Sequence, residues 1–243
     1  MLLKCDASQL EWRVLAWLSN DPVAIDELNR GVDFHSENQR LFNLPSRLVA
    51  KIYLFRTIYR GSGWAFSKDP AFMHVSDHPD FWDDLNYKFY SKYRGIDRCH
   101  TQWGQIVAAH KPIISPLGRE WMIKPRDDGK LPWTLLTNYP VQWTGNDLMA
   151  IARVSLLRRL WKNYHPLSKP GGILVSTVHD DIKMDCESGM ERMIAKMMFE
   201  VFDDIPKNLK RIWGIDLPIQ FPCDISVGPN LKDLTKLNRD DII

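Results

Sequence analysis

Adjacent aspartates in the second half of this 243-residue chain are the side chains best placed for chemistry. Asp180 and Asp181 follow His179, and β-branched residues on both sides predict two strands with these three residues at the hairpin tip. Two neighbouring carboxylates repel each other and stay ionised most easily when a cation lies beside them. Their oxygen ligands favour Mg²⁺, which often acts on phosphate substrates. Acidic pairs are also common in ordinary turns, so the hairpin alone leaves both interpretations open.

A further aspartate, Asp6, ends a short apolar strand and directly precedes a helical pattern. If its strand lies beside the hairpin, Asp6 and Asp180 would face the same pair of metal ions. In the two-metal arrangement for in-line phosphoryl displacement, the two ions lie about 3.5–4 Å from each other. Ser8 and Glu11 have the spacing of a capping box, which gives Glu11 a structural explanation as well.

Two cations followed by two aromatic residues share one face of a predicted helix. Arg47, Lys51, Phe55 and Tyr59 recur every four residues, in a predicted helix over 47–60 that the following glycines end. Cations suit phosphate groups, and aromatic faces suit a stacked base. The alternative is a surface helix with a solvated basic edge.

Composition narrows the class of protein. The net charge of +2 neither requires nor excludes nucleic acid, so any basic surface must be local. The four cysteines are scattered without a C-x-x-C pair, which favours reduced thiols and a cytoplasmic location. The sequence shows no signal-peptide pattern and no apolar run long enough for a membrane span, so we expect no membrane partner.

The remaining pattern is mainly helical. A Pro-x-Gly turn at 116–118 predicts a strand pair, a proline in the segment 219–227 predicts a closing edge strand, and the tail from Lys232 is expected to fray. The segment 64–75 has a loop composition. Helices are predicted over about 79–93, 96–110, 138–161 and 190–202.

Three segments, in order, resemble motifs of the family A DNA polymerases, the bacterial DNA polymerase I class, in their phage forms. Residues 6–13 resemble motif A, 47–59 motif B and 178–181 motif C. The similarity extends to Asp33-x-His35 and to Asn138-x-x-x-Gln142. One such motif is weak evidence, whereas three in this order and spacing are strong evidence.

The resemblance implies three sets of site residues. Two Mg²⁺ ions, with Mn²⁺ as an alternative, would be bound by Asp6, Asp180 and, less directly, Asp181. The incoming dNTP would be bound by residues of motifs A and B and by an earlier histidine: Glu11, His35, Arg47, Lys51, Phe55 and Tyr59. Primer–template DNA would be contacted by four polar or charged side chains: Arg119, Asn138, Gln142 and His179.

The resemblance also gives individual roles. Lys51 would be a catalytic residue that binds the triphosphate and protonates pyrophosphate, and Phe55 would pack on the sugar. Tyr59 would lie near the nascent base pair, and Glu11 would fill the space of a ribose 2′-OH. Departures from the family pattern occur at Ala7, Arg56, Arg60, Trp143 and Asp181, and none of them removes Asp6 or Asp180.

The implied fold is α+β, with an antiparallel palm sheet backed by helices and a helical fingers insertion. The predicted segments are palm over 1–20, fingers over 21–111 and palm again over 112–243, with the motif C hairpin over 173–184. The predicted function is template-directed DNA polymerisation. The alternatives are a catalytically incomplete nucleic-acid-binding fragment and a His-Asp metal phosphohydrolase.

Asp6 follows the first residue by only five positions, and the family's thumb precedes this strand. We therefore expect a split polymerase in which a second polypeptide carries the thumb and an exonuclease. A shortened gene or an excised fragment is the alternative explanation. If the chain is phage-encoded, the location would be the host cytoplasm.

Overall fold

The strands and helices follow the sequence pattern closely. The computed structural model describes residues 1–163 and 171–243. Strands in these ranges are β1 (Leu2–Ala7), β2 (Ile113–Ile114), β3 (Glu120–Trp121), β4 (Gly172–Val178), β5 (Asp181–Cys186), β6 (Cys223–Gly228) and β7 (Thr235–Lys236). Helices in these ranges are α1 (Leu10–Ser19), α2 (Pro22–Asn29), α3 (Phe34–Leu41), α4 (Arg47–Thr57), α5 (Gly63–Ser67), α6 (Pro79–Lys92), α7 (Arg94–Ala108), α8 (Trp133–Asn163), α9 (Glu191–Asp203) and α10 (Ile205–Trp213), with a short 3-10 helix at Arg239–Asp241. None of the helices in these ranges is long and apolar enough to cross a bilayer.

The main sheet has five strands in the order β4-β5-β1-β6-β7, and every neighbouring pair is antiparallel. Along β1, Leu3, Cys5 and Ala7 are buried, while Lys4 and Asp6 lie on the more open face. This alternation follows from the period of two in a strand. Helix α9 packs on β1 and β6 and covers the buried face. The predicted α+β fold, an antiparallel sheet backed by helices, is confirmed.

The chain divides by its internal contacts into two compact units. The sheet unit comprises residues 1–12 and 143–243, and the helical unit comprises residues 13–142. Residues 13–20 and 112–142, predicted as palm, therefore belong to the helical unit. The assignment of palm and fingers stays a prediction.

Aromatic side chains form the centre of the helical unit. Tyr53, Phe66, Phe72 and Trp82 are almost completely buried, with neighbouring ring centroids 5.1 to 5.5 Å apart. They bring α4, α5 and α6 together, because large aromatic rings bury much apolar surface per residue. In the same unit, β2 and β3 pair around Gly118, as the sequence predicts.

Helix α4 is shorter than predicted. It ends at Thr57, and Arg60 adopts a left-handed φ of 59° that a continuing α-helix does not permit. The Arg60 guanidinium hydrogen-bonds Asp97 at 2.5 Å and lies 4.2 Å from the ring centre of Tyr90. These contacts hold the turn, and the predicted helix over 47–60 is therefore wrong at its end. The predicted loop over 64–75 is wrong in part as well, since it contains most of α5.

The C-terminal segment is better ordered than its composition predicts. Pro222 precedes β6, which pairs with β1 on one side and β7 on the other, so the expected edge position was wrong. The expected fraying from Lys232 was also wrong. The Leu237 N–H donates to the Ile225 carbonyl at 2.8 Å, and Arg239 forms a 2.5 Å ion pair with Asp203. These long-range contacts hold a tail that has little apolar content of its own.

Candidate active site

Aspartates from three neighbouring strands form a row on the open face of the sheet unit. Asp6 on β1 lies directly opposite Asp181 on β5 and Asp224 on β6. Residues opposite each other in antiparallel strands point to the same face, so these three carboxylates, here called the aspartate row, share one surface. The row lies at the C-terminal end of β1, whose last residue is Ala7.

The hairpin tip brings Asp180 to the end of this row. The connection between β4 and β5 consists of His179, which has a φ of 53°, and Asp180. Asp181 is already the first residue of β5, so the predicted three-residue tip is one residue too long. The Ala7 N–H donates to the Asp180 carbonyl at 2.8 Å and fastens the tip to the end of β1. Asp6 and Asp180, far apart in sequence, are thereby brought to one end of the sheet.

Lysines accompany each carboxylate of the aspartate row. The Lys4 Nζ lies 2.8 Å from Asp6 Oδ1 and 3.9 Å from Asp181 Oδ2. Lys183 pairs with Asp181 at 2.5 Å. The hydrogen bond that Lys4 donates to Asp6 raises the pKa of its ammonium group, despite partial burial. In the remaining pair, the ammonium group of Lys236 lies 2.8 Å from Asp224.

The donor chemistry of this region fits a hard cation. Asp6 is half-buried and Asp180 is exposed, and both offer carboxylate oxygens. Mg²⁺ commonly uses one or two carboxylates together with water and substrate phosphates. Within residues 1–163 and 171–243, no three His, Cys, Asp or Glu side chains group closely enough to hold a metal ion alone. Two carboxylates that share a metal with substrate oxygens are compatible with this finding.

Asp181 fits the role of metal ligand less well. Its side chain is buried. One oxygen accepts a hydrogen bond from the Val178 N–H at 3.0 Å, and the other accepts from Lys183 at 2.5 Å. Both contacts close the hairpin, so the structure gives this carboxylate a structural task of its own. Its predicted ligand role stays a prediction.

In the helical unit, α4 carries Arg47, Lys51 and Phe55, whereas Tyr59 lies in the turn that follows the helix. Ser46 caps the helix by accepting the Val49 N–H at 3.2 Å, which orients the first turn. Arg47 on that turn hydrogen-bonds Asp33 at 2.7 Å and Ser36 at 3.2 Å. Lys51, one turn further on, is exposed.

Charged residues of α4 shift the pKa values of Asp33 and His35. Partial burial acts to raise the pKa of Asp33, but hydrogen bonds from Arg47 and Ser36 outweigh it and lower the value to about 2. Burial, the Arg47 charge and the Lys51 charge lower the pKa of His35. The nearby Asp33 carboxylate opposes this lowering but does not outweigh it.

Phe55, near the C-terminal end of α4, packs against Tyr59 just after the helix. Phe55 is 48% exposed, and its ring meets the ring of Tyr59 edge-on, with the centroids 5.7 Å apart. The Gln142 Nε2 donates to the Tyr59 hydroxyl at 3.3 Å. Asn138 lies one turn earlier on α8 and is half-buried. Phe55 thus offers an apolar surface beside a fixed polar group.

The structure sorts the predicted site residues into two groups. Glu11, in the first turn of α1, belongs to the sheet unit with Asp6 and the hairpin residues. Arg119 belongs to the helical unit, where it is exposed in the turn between β2 and β3. Since no finding tests their roles, these residues stay predictions.

Lys4, Lys183 and Asp224 are the site residues that the sequence did not indicate. Alternation along β1 places Lys4 on the same face as Asp6, and this signal was present in the sequence. The opposition of Asp6 and Asp224 was not readable, because it depends on the register between β1 and β6.

The family of the chain follows from comparison with known proteins. The model of DNA polymerase family A matches residues 1–233, so the chain belongs to DNA polymerase family A. Relatives include DNA polymerase I of Chloroflexus aurantiacus, 25% identical over 96% of this chain and 24% of the relative. The thermostable DNA polymerase I of Thermus aquaticus is 24% identical over 94% of this chain and 26% of the relative.

A solved structure supports the fold. The polymerase domain of Pol1 from M. smegmatis, in complex with DNA primer-template and dNTP, matches with a TM-score of 0.75. The match has 17% identity and covers 93% of this chain and 39% of that chain. The chain spans about a quarter of the length of the two curated relatives named above.

Proposed function

We propose that the chain is a template-directed DNA polymerase domain that transfers a nucleotide from a dNTP to a primer 3′-OH. The observation that carries the proposal is the placement of Asp6 and Asp180 at one end of the sheet by the Ala7–Asp180 hydrogen bond. Carboxylates placed in this way suit the two-metal arrangement of phosphoryl transfer. Family membership supports the same chemistry.

In the proposed reaction, the bond between the primer 3′-oxygen and the α-phosphorus forms as the bond to the bridging oxygen breaks. The hydroxyl proton passes to solvent, and pyrophosphate leaves. Bound Mg²⁺ would activate the hydroxyl and neutralise the leaving group. Asp6 and Asp180 would hold the two ions, with Mn²⁺ as an alternative.

The residues of α4 would act on the triphosphate. Lys51 is exposed and makes no ion pair within the part of the chain that the structure describes, so its charge is available to an anion. Arg47 retains further N–H donors beyond those that bind Asp33 and Ser36. Positioned cations stabilise the charge that develops on a transferring phosphoryl group. Lys51 would also protonate the departing pyrophosphate.

The remaining predicted contacts complete the proposal. Phe55 would pack on the sugar, Tyr59 would lie near the nascent base pair, and His35 would help to bind the incoming nucleotide. Primer–template DNA would be contacted by Arg119, Asn138, Gln142 and His179. A second polypeptide with thumb and exonuclease, and a phage origin, stay predictions of the resemblance.

Incorporation of labelled dNTP on a primed template, with Mg²⁺, tests the proposal. Asp180→Asn should abolish incorporation, because it removes the charge while keeping the shape of the side chain. Asp185→Asn is the matched control, since Asp185 is an exposed aspartate on β5 that contacts the chain's N-terminal amine. Unaltered folding, shown by circular dichroism, is required of both variants. Equal incorporation by both would refute the proposal.

A nucleic-acid-binding fragment without activity is the second possibility, and primer–template binding without incorporation would identify it. The His-Asp phosphohydrolase would need a larger cluster of metal ligands. Within the described residues, His179 has no such cluster around it. We therefore retain the polymerase proposal.

A further inference from the structure

Lys4 and Lys183 lie directly opposite each other on the open face of the sheet. Like charges at directly opposed positions of an antiparallel pair destabilise the sheet. The aspartate row lies one step along the same strands, where it can offset this repulsion. The sheet unit therefore carries two adjacent rows of opposite charge.

Of the two opposed lysines, Lys4 and Lys183, Lys4 is the one that lies within 4 Å of two carboxylates. Its ammonium group lies 2.8 Å from Asp6 and 3.9 Å from Asp181. By contrast, Lys183 contacts Asp181, whose side chain is buried and also accepts a backbone hydrogen bond. The Lys4–Asp6 contact joins side chains that are 31% and 41% exposed, so a cation from solvent can reach it.

We propose that Lys4 is an internal counter-ion that competes with a divalent cation for Asp6 and thereby sets the metal affinity of the sheet unit. This inference rests on the proposed function only in taking Asp6 as a metal ligand. A divalent ion must share Asp6 with the Lys4 ammonium group or displace it. Either process lowers the affinity below that of the carboxylates alone, because the ammonium group repels the incoming ion.

Binding of Mn²⁺ alone, without DNA or nucleotide, tests the proposal. Free Mn²⁺ is measured by electron paramagnetic resonance during titration of the 243-residue chain. Lys4→Met removes the charge and keeps an unbranched side chain, so it should tighten Mn²⁺ binding on the order of tenfold. Lys4→Arg keeps the charge and should restore the wild-type affinity.

Matched controls separate this effect from a general loss of charge. Lys210 on α10 also forms an ion pair with an aspartate, Asp216, away from the sheet strands. Lys210→Met should leave Mn²⁺ affinity unchanged. Lys4→Gln provides a second neutral variant, and circular dichroism with thermal melting checks that each variant folds.

The outcomes distinguish this inference from the proposed function. Unchanged or weaker Mn²⁺ binding by folded Lys4→Met and Lys4→Gln would overturn the inference. If Asp6→Asn weakens Mn²⁺ binding while the Lys4 variants do not change it, only the role of Lys4 is refuted. If Asp6→Asn has no effect on Mn²⁺ binding, the metal role of Asp6 in the proposed function is refuted as well.

Discussion

The two units differ in how many of their charged site residues have an ion-pair partner. In the sheet unit, each carboxylate of the aspartate row has a lysine partner: Lys4, Lys183 or Lys236. In the helical unit, Arg47 is paired with Asp33, whereas Lys51 on the next turn has no ion pair among the described residues.

This difference indicates what each unit is prepared to bind. A divalent metal attracts a carboxylate more strongly than an ammonium group does, so it can replace a lysine partner. A helix with an uncompensated lysine is ready for an anion without prior rearrangement. In the proposed function, the metal would therefore bind to the sheet unit and the triphosphate to the helical unit, and the following experiments test that proposal.

The largest effect is expected when the two directly opposed aspartates, Asp6 and Asp224, are mutated one at a time. Asp6→Asn should lower nucleotide incorporation by about 10³-fold or more, because it removes a charge that is proposed to hold metal during the reaction. Asp224→Asn changes the directly opposed residue and should lower it by less than about threefold. Steady-state incorporation on a primed template measures both. Similar losses in the two variants would mean that the aspartate row acts as a general negative surface.

The next effect concerns the cation of the helical unit. Lys51→Ala should reduce kcat/KM for the dNTP by at least about 10²-fold, through loss of the proposed triphosphate contact and of the proposed general acid. Lys88→Ala, which removes a lysine paired with Asp84 on α6, is the control and should have little effect. A Lys51→Ala loss confined to DNA affinity would instead place α4 against the template backbone.

A buried histidine of the helical unit should make the stability of the protein depend on pH. His100 is fully buried in the helical unit, and burial lowers its pKa to about 3 from an ordinary value of 6.5. Between these values the unfolded chain binds a proton that the folded chain does not, so stability should fall as pH falls from 6.5 towards 3. The expected loss is about 2 kcal/mol at pH 5.

Urea unfolding at pH 7 and pH 5, followed by circular dichroism, measures this loss. His100→Gln should remove its share of the pH dependence, whatever its effect on stability at pH 7. His74→Gln, which alters an exposed histidine, is the matched control variant. A His100→Gln variant with the full wild-type dependence would show that other groups determine acid stability.

The smallest effect concerns sugar selection. Glu11→Ala should reduce discrimination against ribonucleotides by about tenfold, because it opens the space that a 2′-OH would occupy. Competition between rNTP and dNTP measures the ratio. Glu191→Ala is the matched control, since Glu191 also lies in the first turn of a helix of the sheet unit. An unchanged ratio would leave the capping box as a sufficient explanation of Glu11.

The positions of the main elements were predictable because local patterns decide them. β1, the motif C hairpin and α4 were placed to within a few residues by β-branched runs and four-residue spacing. The errors lie where distant contacts override local preference. Arg60 ends α4 early through contacts with Asp97 and Tyr90.

Long-range pairing explains the remaining errors. The polar tail is held by β6 and by Asp203, and Pro222 precedes an internal strand. Composition describes what a segment prefers in isolation, whereas these segments are fixed by hydrogen bonds to residues far away in sequence.

The sequence by itself determined the family motifs, and it was enough to predict Asp6 and Asp180 as metal ligands and a basic and aromatic stripe along 47–59. Side-chain type and spacing are sufficient for such inferences. Only the tertiary structure decided that Asp181 closes the hairpin, that Asp224 faces Asp6 and that Lys4 lies between two carboxylates. Strand register fixes those neighbours, and register is set by the pairing of segments more than 170 residues apart, which no local pattern records.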